Sequence, residues 1–393
     1  MGNFNKQTIA DLDVSGKRAV VRVDFNVPLA NGDVVDDRRI REALPTIRYL
    51  LDHGASVVLM SHLGRPDGKV IAKFSLCPVA TRLAQLLGRP VTMAADCVGE
   101  KVQAQAKALK PGDVLLLENL RFHAEEEAND AVFAKALASL GDLFVNDAFG
   151  TAHRAHASTV GIASDLPAVG GFLMQKELET LGAALENPER PFVAIIGGAK
   201  VSSKIKVLRS LLGKVDKILV GGGMANTFFM AKGYDMAKSL VEPDRLDDAR
   251  AIMAEAGDKL VLPIDDVVAT APTAEAPSRV VNVNEVPVDW EVFDIGPATA
   301  AEFARIACAA KLVVWNGPLG YYEEPKFGAG TRALATALAS SPAKVIVGGG
   351  DLVASLEGAG LADKMTFVST GGGASLELLE GRVLPGVAAL RNK

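Results

Sequence analysis

Lys344-Val345-Ile346-Val347-Gly348-Gly349-Gly350-Asp351 is an apolar, β-branched run that stops in three glycines and a carboxylate. The pattern recurs nearby. Ile218-Leu219-Val220 precedes Gly221-Gly222-Gly223, and Phe367-Val368-Ser369-Thr370 precedes Gly371-Gly372-Gly373. A fourth run, Val193 to Ile196, ends in Gly197-Gly198-Ala199-Lys200. A buried strand that feeds a glycine turn and then a helix leaves N–H groups facing an anion. The first half of the chain ends its strands differently, in Arg22-Val23-Asp24-Phe25-Asn26, Ser61-His62-Leu63-Gly64-Arg65 and Glu118-Asn119-Leu120-Arg121-Phe122-His123. One half presents backbone amides and the other presents cationic side chains. Two phosphate-bearing ligands, one on each half, fit that asymmetry.

Strand-like runs alternate with helix-like segments along the whole chain. They are Arg18–Val23, Ser56–Met60, Val114–Leu117 and Leu143–Val145, then Phe192–Ile196, Lys217–Val220, Leu260–Leu262, Leu312–Trp315, Lys344–Val347 and Thr366–Val368. Their centres are continuously apolar, the mark of parallel strands covered on both faces. Alternation with helices implies βαβ crossovers, and roughly ten strands exceed one comfortable open sheet. The predicted fold is therefore α/β: two doubly wound lobes, each with a mostly parallel sheet. Between Pro167 and Pro191 the apolar positions 173, 174, 178, 181, 184 and 185 follow helical spacing, and Asn187-Pro188 stops the helix. Two readings of that helix stand, a hinge element between lobes or a crossover helix inside one.

Composition narrows the function. A net charge of −5 gives no global basic field for nucleic acid or an anionic membrane. Three cysteines (Cys77, Cys97, Cys308) form no CxxC and no even framework, so disulfides and structural zinc are not expected, and all three read as small buried residues. Met1 to Ala10 lacks the apolar core of a signal peptide, and no apolar stretch reaches the ~18 residues of a membrane span.

Ligands of open α/β sheets bind at strand C-terminal ends. Asp24, Asn26, His62, Arg65, Arg121 and Arg154 lie at or after such ends, with Arg39 beyond the first loop. Each arginine alone reads as a solvated surface residue; together they suit phosphate and carboxylate oxygens. His53 falls at a helix end, while His123, His153 and His156 stay open between core and ligand roles. No GxGxxG and no P-loop motif occurs in the second half. Lys200 and Lys204 follow the Gly197-Gly198 turn at i, i+4 spacing, on one face of the helix that the turn opens. Asp351 reads either as a helix N-cap or as a carboxylate holding Mg²⁺ beside phosphate. Trp315-Asn316-Gly317-Pro318 is a turn, and Glu323 beyond it suits ribose hydroxyls. The residues alone describe a two-lobed protein that joins a small anion to a phosphorylated ligand.

Arg22-Val23-Asp24-Phe25-Asn26-Val27-Pro28, Met60-Ser61-His62-Leu63-Gly64-Arg65-Pro66, Glu118-Asn119-Leu120-Arg121-Phe122, Asn146-Asp147-Ala148-Phe149-Gly150-Thr151-Ala152-His153-Arg154, Gly197-Gly198-Ala199-Lys200-Val201, Val314-Trp315-Asn316-Gly317-Pro318 and Ser369-Thr370-Gly371-Gly372-Gly373-Ala374-Ser375, taken in order, resemble the phosphoglycerate kinase family over essentially the whole chain. The resemblance implies a glycerate-binding lobe (1–171, with 376–393 returning to it), a connecting helix (172–188) and a nucleotide lobe (189–375). It implies a glycolytic phosphotransferase with a carboxyl acceptor, exchanging 1,3-bisphosphoglycerate and MgADP for 3-phosphoglycerate and MgATP by in-line transfer after lobe closure. A cytoplasmic monomer with no nucleic-acid or membrane partner is expected.

By the same resemblance Asp24, Asn26, Arg39, His62, Arg65, Arg121 and Arg154 bind the glycerate substrate. Arg39, Lys200, Gly372 and Gly373 stabilise the transferring phosphoryl group. Gly198, Ala199, Lys200, Lys204, Gly222, Gly223, Asn316, Glu323, Gly349, Gly350, Asp351 and Leu352 form the nucleotide site, with Asp351 on Mg²⁺ of Mg-ATP or Mg-ADP. Many members carry Thr where this chain has Leu352, which leaves only the backbone N–H there. Two competing classes are a non-catalytic nucleotide-binding protein on the same fold and a nicotinamide dehydrogenase, the latter without its glycine fingerprint.

Overall fold

Helices covering both faces of a sheet bury successive strand residues instead of alternate ones. β1 (Arg18–Arg22) obeys this, with Ala19, Val20, Val21 and Arg22 all buried. The computed structural model describes residues 4–393. Residues 1–3 of the polar opening Met1–Ala10 lie outside the described part. The chain divides into two compact units, one of residues up to Glu179 together with Val383–Lys393, and one of Thr180–Arg382.

In the first unit the chain runs through β1, a small hairpin of β2 (Leu29–Ala30) and β3 (Asp33–Val34), β4 (Ser56–Met60), β5 (Thr92–Met93), β6 (Val114–Leu116), β7 (Leu143–Asn146) and β8 (Ala168–Gly170). Six of these make one sheet in the order β5-β6-β4-β1-β7-β8, every neighbour parallel. The second unit holds β9 (Phe192–Ile196), β10 (Lys217–Val220), β11 (Leu260–Val261), β12 (Asp265–Ala269), β13 (Ser278–Asn282), β14 (Glu291–Ile295), β15 (Leu312–Asn316), β16 (Lys344–Gly348) and β17 (Phe367–Val368). Its main sheet is also parallel, in the order β11-β10-β9-β15-β16-β17. Both sheets reverse their winding at the centre, beside β1 in the first and between β9 and β15 in the second. Such switch points leave a crevice at strand C-terminal ends. A separate antiparallel sheet, β13-β12-β14, was not foreseen in the sequence.

The helix Phe172–Glu186 buries Leu173, Met174, Leu178, Leu181, Ala184 and Leu185, the six positions predicted from spacing. Asp147 Oδ1 accepts from the N–H groups of Leu173 (2.9 Å) and Met174 (3.2 Å), which satisfies two orphan donors at its start. The segment returning to the first unit begins at Val383, later than the expected 376. Residues 376–382 stay in the second unit because the helix Gly373–Leu379 packs on the helix Ile205–Leu212 and buries Leu378 and Leu379. The returning segment is stitched to the beginning of the chain. Gln7 N–H donates to the Arg391 carbonyl (2.9 Å), and Lys6 Nζ donates to the Leu390 carbonyl (3.1 Å) and Asn392 Oδ1 (2.8 Å). Gly386 N–H donates to the Ala152 carbonyl (2.8 Å) and Arg391 N–H to that of Ala168 in β8 (3.0 Å).

One cysteine expectation fails. Cys97 is buried and Cys308 half-buried, but Cys77 is exposed, because it opens the helix Cys77–Leu87 on the face away from buried Val79, Ala80 and Leu83. Among the described residues no helix is long and apolar enough to cross a membrane.

Candidate functional site

The first unit gathers its polar residues at the ends of β1, β4, β6 and β7. Buried Asp24 leaves β1 and pairs with Arg39 Nη1 at 2.7 Å. Asn26 Oδ1 accepts from Gly64 N–H at 2.9 Å, which ties the β1 loop to the β4 loop. Asn119 ties the β4 and β6 loops together: its Oδ1 accepts from Leu63 N–H (3.2 Å) and Arg121 N–H (3.0 Å), and its Nδ2 donates to the Leu63 carbonyl (2.7 Å). Arg121 is buried, donates to the Gly64 carbonyl (2.9 Å), and meets Glu127 at 3.2 Å, with Arg154 3.9 Å from the same carboxylate. Arg65 is exposed at the rim. Arg39, Arg121 and Arg154 thus share an end of the sheet with buried His62.

His62 stays neutral there. Burial first, then the guanidiniums of Arg22, Arg121, Arg39 and Arg154, hold its pKa well below the ordinary imidazole value. The other histidines settle into structural roles. His53 caps its helix and stacks on Tyr49, with ring centroids 3.9 Å apart. His123 Nε2 meets Asp96 Oδ1 at 2.7 Å, His153 Nε2 accepts from Arg154 Nε at 3.2 Å, and His156 lies 3.7 Å from Glu126. Burial and then the neighbouring cations push His156 down to about 4.

The second unit builds its site from backbone. Gly222, Gly349 and Gly372 are the N-caps of the helices Gly223–Ala231, Gly350–Gly358 and Gly373–Leu379. Two close approaches explain why side chains are absent at the switch point. A Cβ on Gly197 would lie 2.1 Å from the Pro318 carbonyl oxygen, and one on Gly222, at φ +72°, would lie 2.7 Å from that of Gly198. The crossing loops are held by Gly197 N–H donating to the Asn316 carbonyl (2.9 Å). Beside them opens a cavity of about 330 Å³ lined by Gly198, Ala199, Gly222, Gly223, Glu323 and Asp351 and walled by Leu240, Val292, Phe293 and Tyr321.

Lys204 reaches Asn316 Oδ1 with its ammonium group. Burial lowers its pKa to about 8, against the opposing pull of Asp351 and Glu380. Asn316 Nδ2 is buried with no hydrogen-bond partner among the described residues. An unpaired buried donor of this kind costs free energy until an acceptor arrives. Lys200, Glu323 and Asp351 are exposed. Tyr322 is hydrogen-bonded to Asp351, and its pKa is raised by burial first and then by Asp351 and Glu323.

Two local expectations are corrected. Lys200 and Lys204 do not share a helix face, because the helix starts only at Ile205 with Lys204 as its N-cap. Residues 199–204 form a turn instead, pinned by buried Val201 and by Ser202, whose N–H (2.9 Å) and hydroxyl (2.5 Å) bind Glu242. Asp351 is not an N-cap: Gly349 caps that helix, and Asp351 is its second residue. There a carboxylate complements the helix dipole and projects into the cavity rim. A carboxylate beside a glycine turn fits Mg²⁺, which is commonly held by one or two carboxylates plus phosphate oxygens and waters.

Sequence reasoning missed the linking role of Asn119 and the aromatic wall. Asn119 offered one signal, its place three residues beyond the apolar strand Val114–Leu116. The wall comes from β14 and the loop after β15, and its signal was the β-branched and aromatic run Val292-Phe293-Asp294-Ile295.

A family model described as phosphoglycerate kinase matches residues 9–382. The chain is similar to the phosphoglycerate kinase of Moorella thermoacetica, 60% identical over 391 residues, which cover 99% of this chain and 100% of the relative. It is also similar to that of Roseiflexus sp. (strain RS-1), 58% identical over 392 residues, covering 98% and 99%. Among solved structures, phosphoglycerate kinase from Coxiella burnetii aligns with a TM-score of 0.87 at 45% identity, covering 98% of each chain.

Proposed function

The chain belongs to the phosphoglycerate kinase family, and from that premise we propose how its two sets of polar groups divide the reaction. The enzyme carries out the glycolytic phosphoryl transfer between 1,3-bisphosphoglycerate and ADP, which yields 3-phosphoglycerate and ATP. Asp24, Asn26, Arg39, His62, Arg65, Arg121 and Arg154 bind the glycerate. The cations neutralise its phosphate and carboxylate, while Asp24 and Asn26 face its hydroxyl. Gly198, Ala199, Gly222, Gly223, Asn316, Gly349, Gly350 and the Leu352 N–H receive the nucleotide, with Lys204 on its phosphates and Glu323 on its ribose. Asp351 holds Mg²⁺ with the nucleotide phosphates. When bound, the cation supplies positive charge that offsets phosphate repulsion.

No nucleophilic side chain is required, because the substrate carboxylate and the nucleotide phosphate are themselves the reacting groups. Catalysis is positioning plus charge stabilisation. Arg39 and Lys200 accompany the transferring group, and the N–H groups of Gly372 and Gly373 donate to it. In-line transfer needs reacting atoms within roughly 3–3.5 Å, so closure of the two units around both ligands belongs to the proposal. A radius of gyration in solution that stays unchanged at double saturation would refute it. Cytoplasmic residence and a monomeric state complete the reading.

The observation that carries the nucleotide assignment is the orphaned Asn316 Nδ2 beside half-desolvated Lys204 at a glycine-built switch point. Calorimetry on Asp351→Ala tests it. MgADP binding should weaken by about tenfold or more while 3-phosphoglycerate binding holds. Equal loss for both ligands would make Asp351 a structural residue of its helix.

A further inference from the structure

A chain of buried polar side chains in the first unit runs from Glu126 through Ser158 and Arg22 to His62. Glu126 is fully buried in the short helix Ala124–Glu127. Its Oε1 accepts from the Ser158 hydroxyl at 2.6 Å and its Oε2 from Ser158 N–H at 3.0 Å. The Ser158 oxygen accepts in turn from Arg22 Nε at 2.9 Å. Arg22 closes β1, is 1% exposed, donates to the Val23 carbonyl through Nη1, and reaches His62 Nδ1 through Nη2 at 3.1 Å.

With Glu126 as the carboxylate, each link runs in one direction. A guanidinium has five N–H donors and no acceptor. His62 Nδ1 therefore meets Arg22 with its lone pair, and the ring proton sits on Nε2. The serine hydroxyl has one hydrogen. It is spent on Glu126, which leaves the oxygen lone pairs for Arg22 Nε–H. Without that acceptor the buried guanidinium would lose one of its fixed partners and with it the orientation of its fork.

We propose that Glu126 and Ser158 are positioning residues for the glycerate site: through Arg22 they fix His62 as the neutral Nε2–H tautomer, so that the ring presents a donor to the anionic substrate. The inference rests on the assignment of His62 to that site. Neither residue contacts the substrate itself. The groups that act on the imidazole are Arg22, Arg121, Arg39 and Arg154, with Asp24 Oδ1 at 3.9 Å from Nδ1. A second proton on Nδ1 would place a hydrogen against Arg22 Nη2 among these cations, so the ring does not become imidazolium at neutral pH.

Nitrogen NMR on the full-length enzyme, labelled at histidine, reads the tautomer. In the wild type at pH 7 His62 should show an unprotonated Nδ1 and a protonated Nε2, and 3-phosphoglycerate should shift the Nε2 signal. Ser158→Ala should return the ring to a mixture of tautomers. It should raise KM for 3-phosphoglycerate about tenfold, equal to about 1.4 kcal/mol, with KM for ATP within about twofold. A protonated Nδ1 in the wild type overturns the relay, whether or not Ser158→Ala folds. Equal rises in both KM values mark Ser158 as merely structural and also overturn it. An unprotonated Nδ1 whose partner Nε2 ignores 3-phosphoglycerate refutes the site assignment instead.

Discussion

Lys204 offers a quantitative test of the nucleotide site, because its charge is poised in an accessible pH range. Its ammonium group titrates near 8 in the ligand-free protein, lowered by burial from an ordinary 10.5. Nucleotide phosphates placed against it favour the charged form and raise that value. Well below pH 8 the lysine is already mostly protonated and binding takes up little proton. Above pH 8 the free protein has lost the proton that the complex keeps, so affinity falls as pH rises. If the complex restores the ordinary value, affinity should drop about tenfold between pH 7 and pH 9, or about 1.4 kcal/mol. Proton uptake on binding should grow from roughly 0.1 at pH 7 to roughly 0.9 at pH 9. Terminal phosphate ionisation, with a pKa of ~6, is about nine-tenths complete at pH 7 and changes little from there to pH 9, so the rise in uptake belongs to the lysine. Titration calorimetry of MgADP in two buffers of different ionisation enthalpy separates the proton term. Lys204→Arg, which cannot deprotonate, should flatten both curves. Affinity and uptake that are flat across this range in the wild type would refute Lys204 as a phosphate contact.

Two further outcomes are expected. Arg39→Ala should lower kcat by about 100-fold, about 3 kcal/mol, while KM for either substrate moves only severalfold; loss of affinity with kcat preserved, in steady-state assays of both substrates, would make Arg39 a binding residue alone. Gly197→Ala sets a methyl group 2.1 Å from the Pro318 carbonyl oxygen, so the crossing loops must separate. A cost of about 3 kcal/mol should appear as a Tm lower by roughly 10 °C, with MgADP affinity lost and 3-phosphoglycerate affinity kept; an unchanged Tm and MgADP affinity would show that the loops can part freely.

The parallel sheets were legible because burial on both faces demands continuous apolar runs, and all ten predicted runs form strands. The antiparallel sheet was hidden for the converse reason. β13, Ser278–Asn282, is largely exposed and so carries no apolar run to announce it, and β5 and the hairpin strands are two residues long. Site residues that project from strand ends were visible as charge. Their supports were not. Arg22 read as one more cation at a strand end, yet its side chain turns inward to partners 40 and 136 residues away along the chain. Local periodicity also placed Lys200 and Lys204 on one helix. It could not anticipate that Glu242, forty residues on, would hold the intervening segment as a turn.

The seam between the opening residues and the returning segment has a consequence for biosynthesis. Lys6, Gln7, Ala152 and the β8 residue Ala168 each wait for a partner at Gly386 or beyond. The ribosome makes the whole second unit before those partners exist. Until then the newly made first unit lacks the partner of the Ala168 carbonyl at the β8 edge, where Gln7 and Thr8 already pair with Gly170. Completion of the first unit therefore follows synthesis of the second, because the seam closes only once the residues beyond Arg382 have been made.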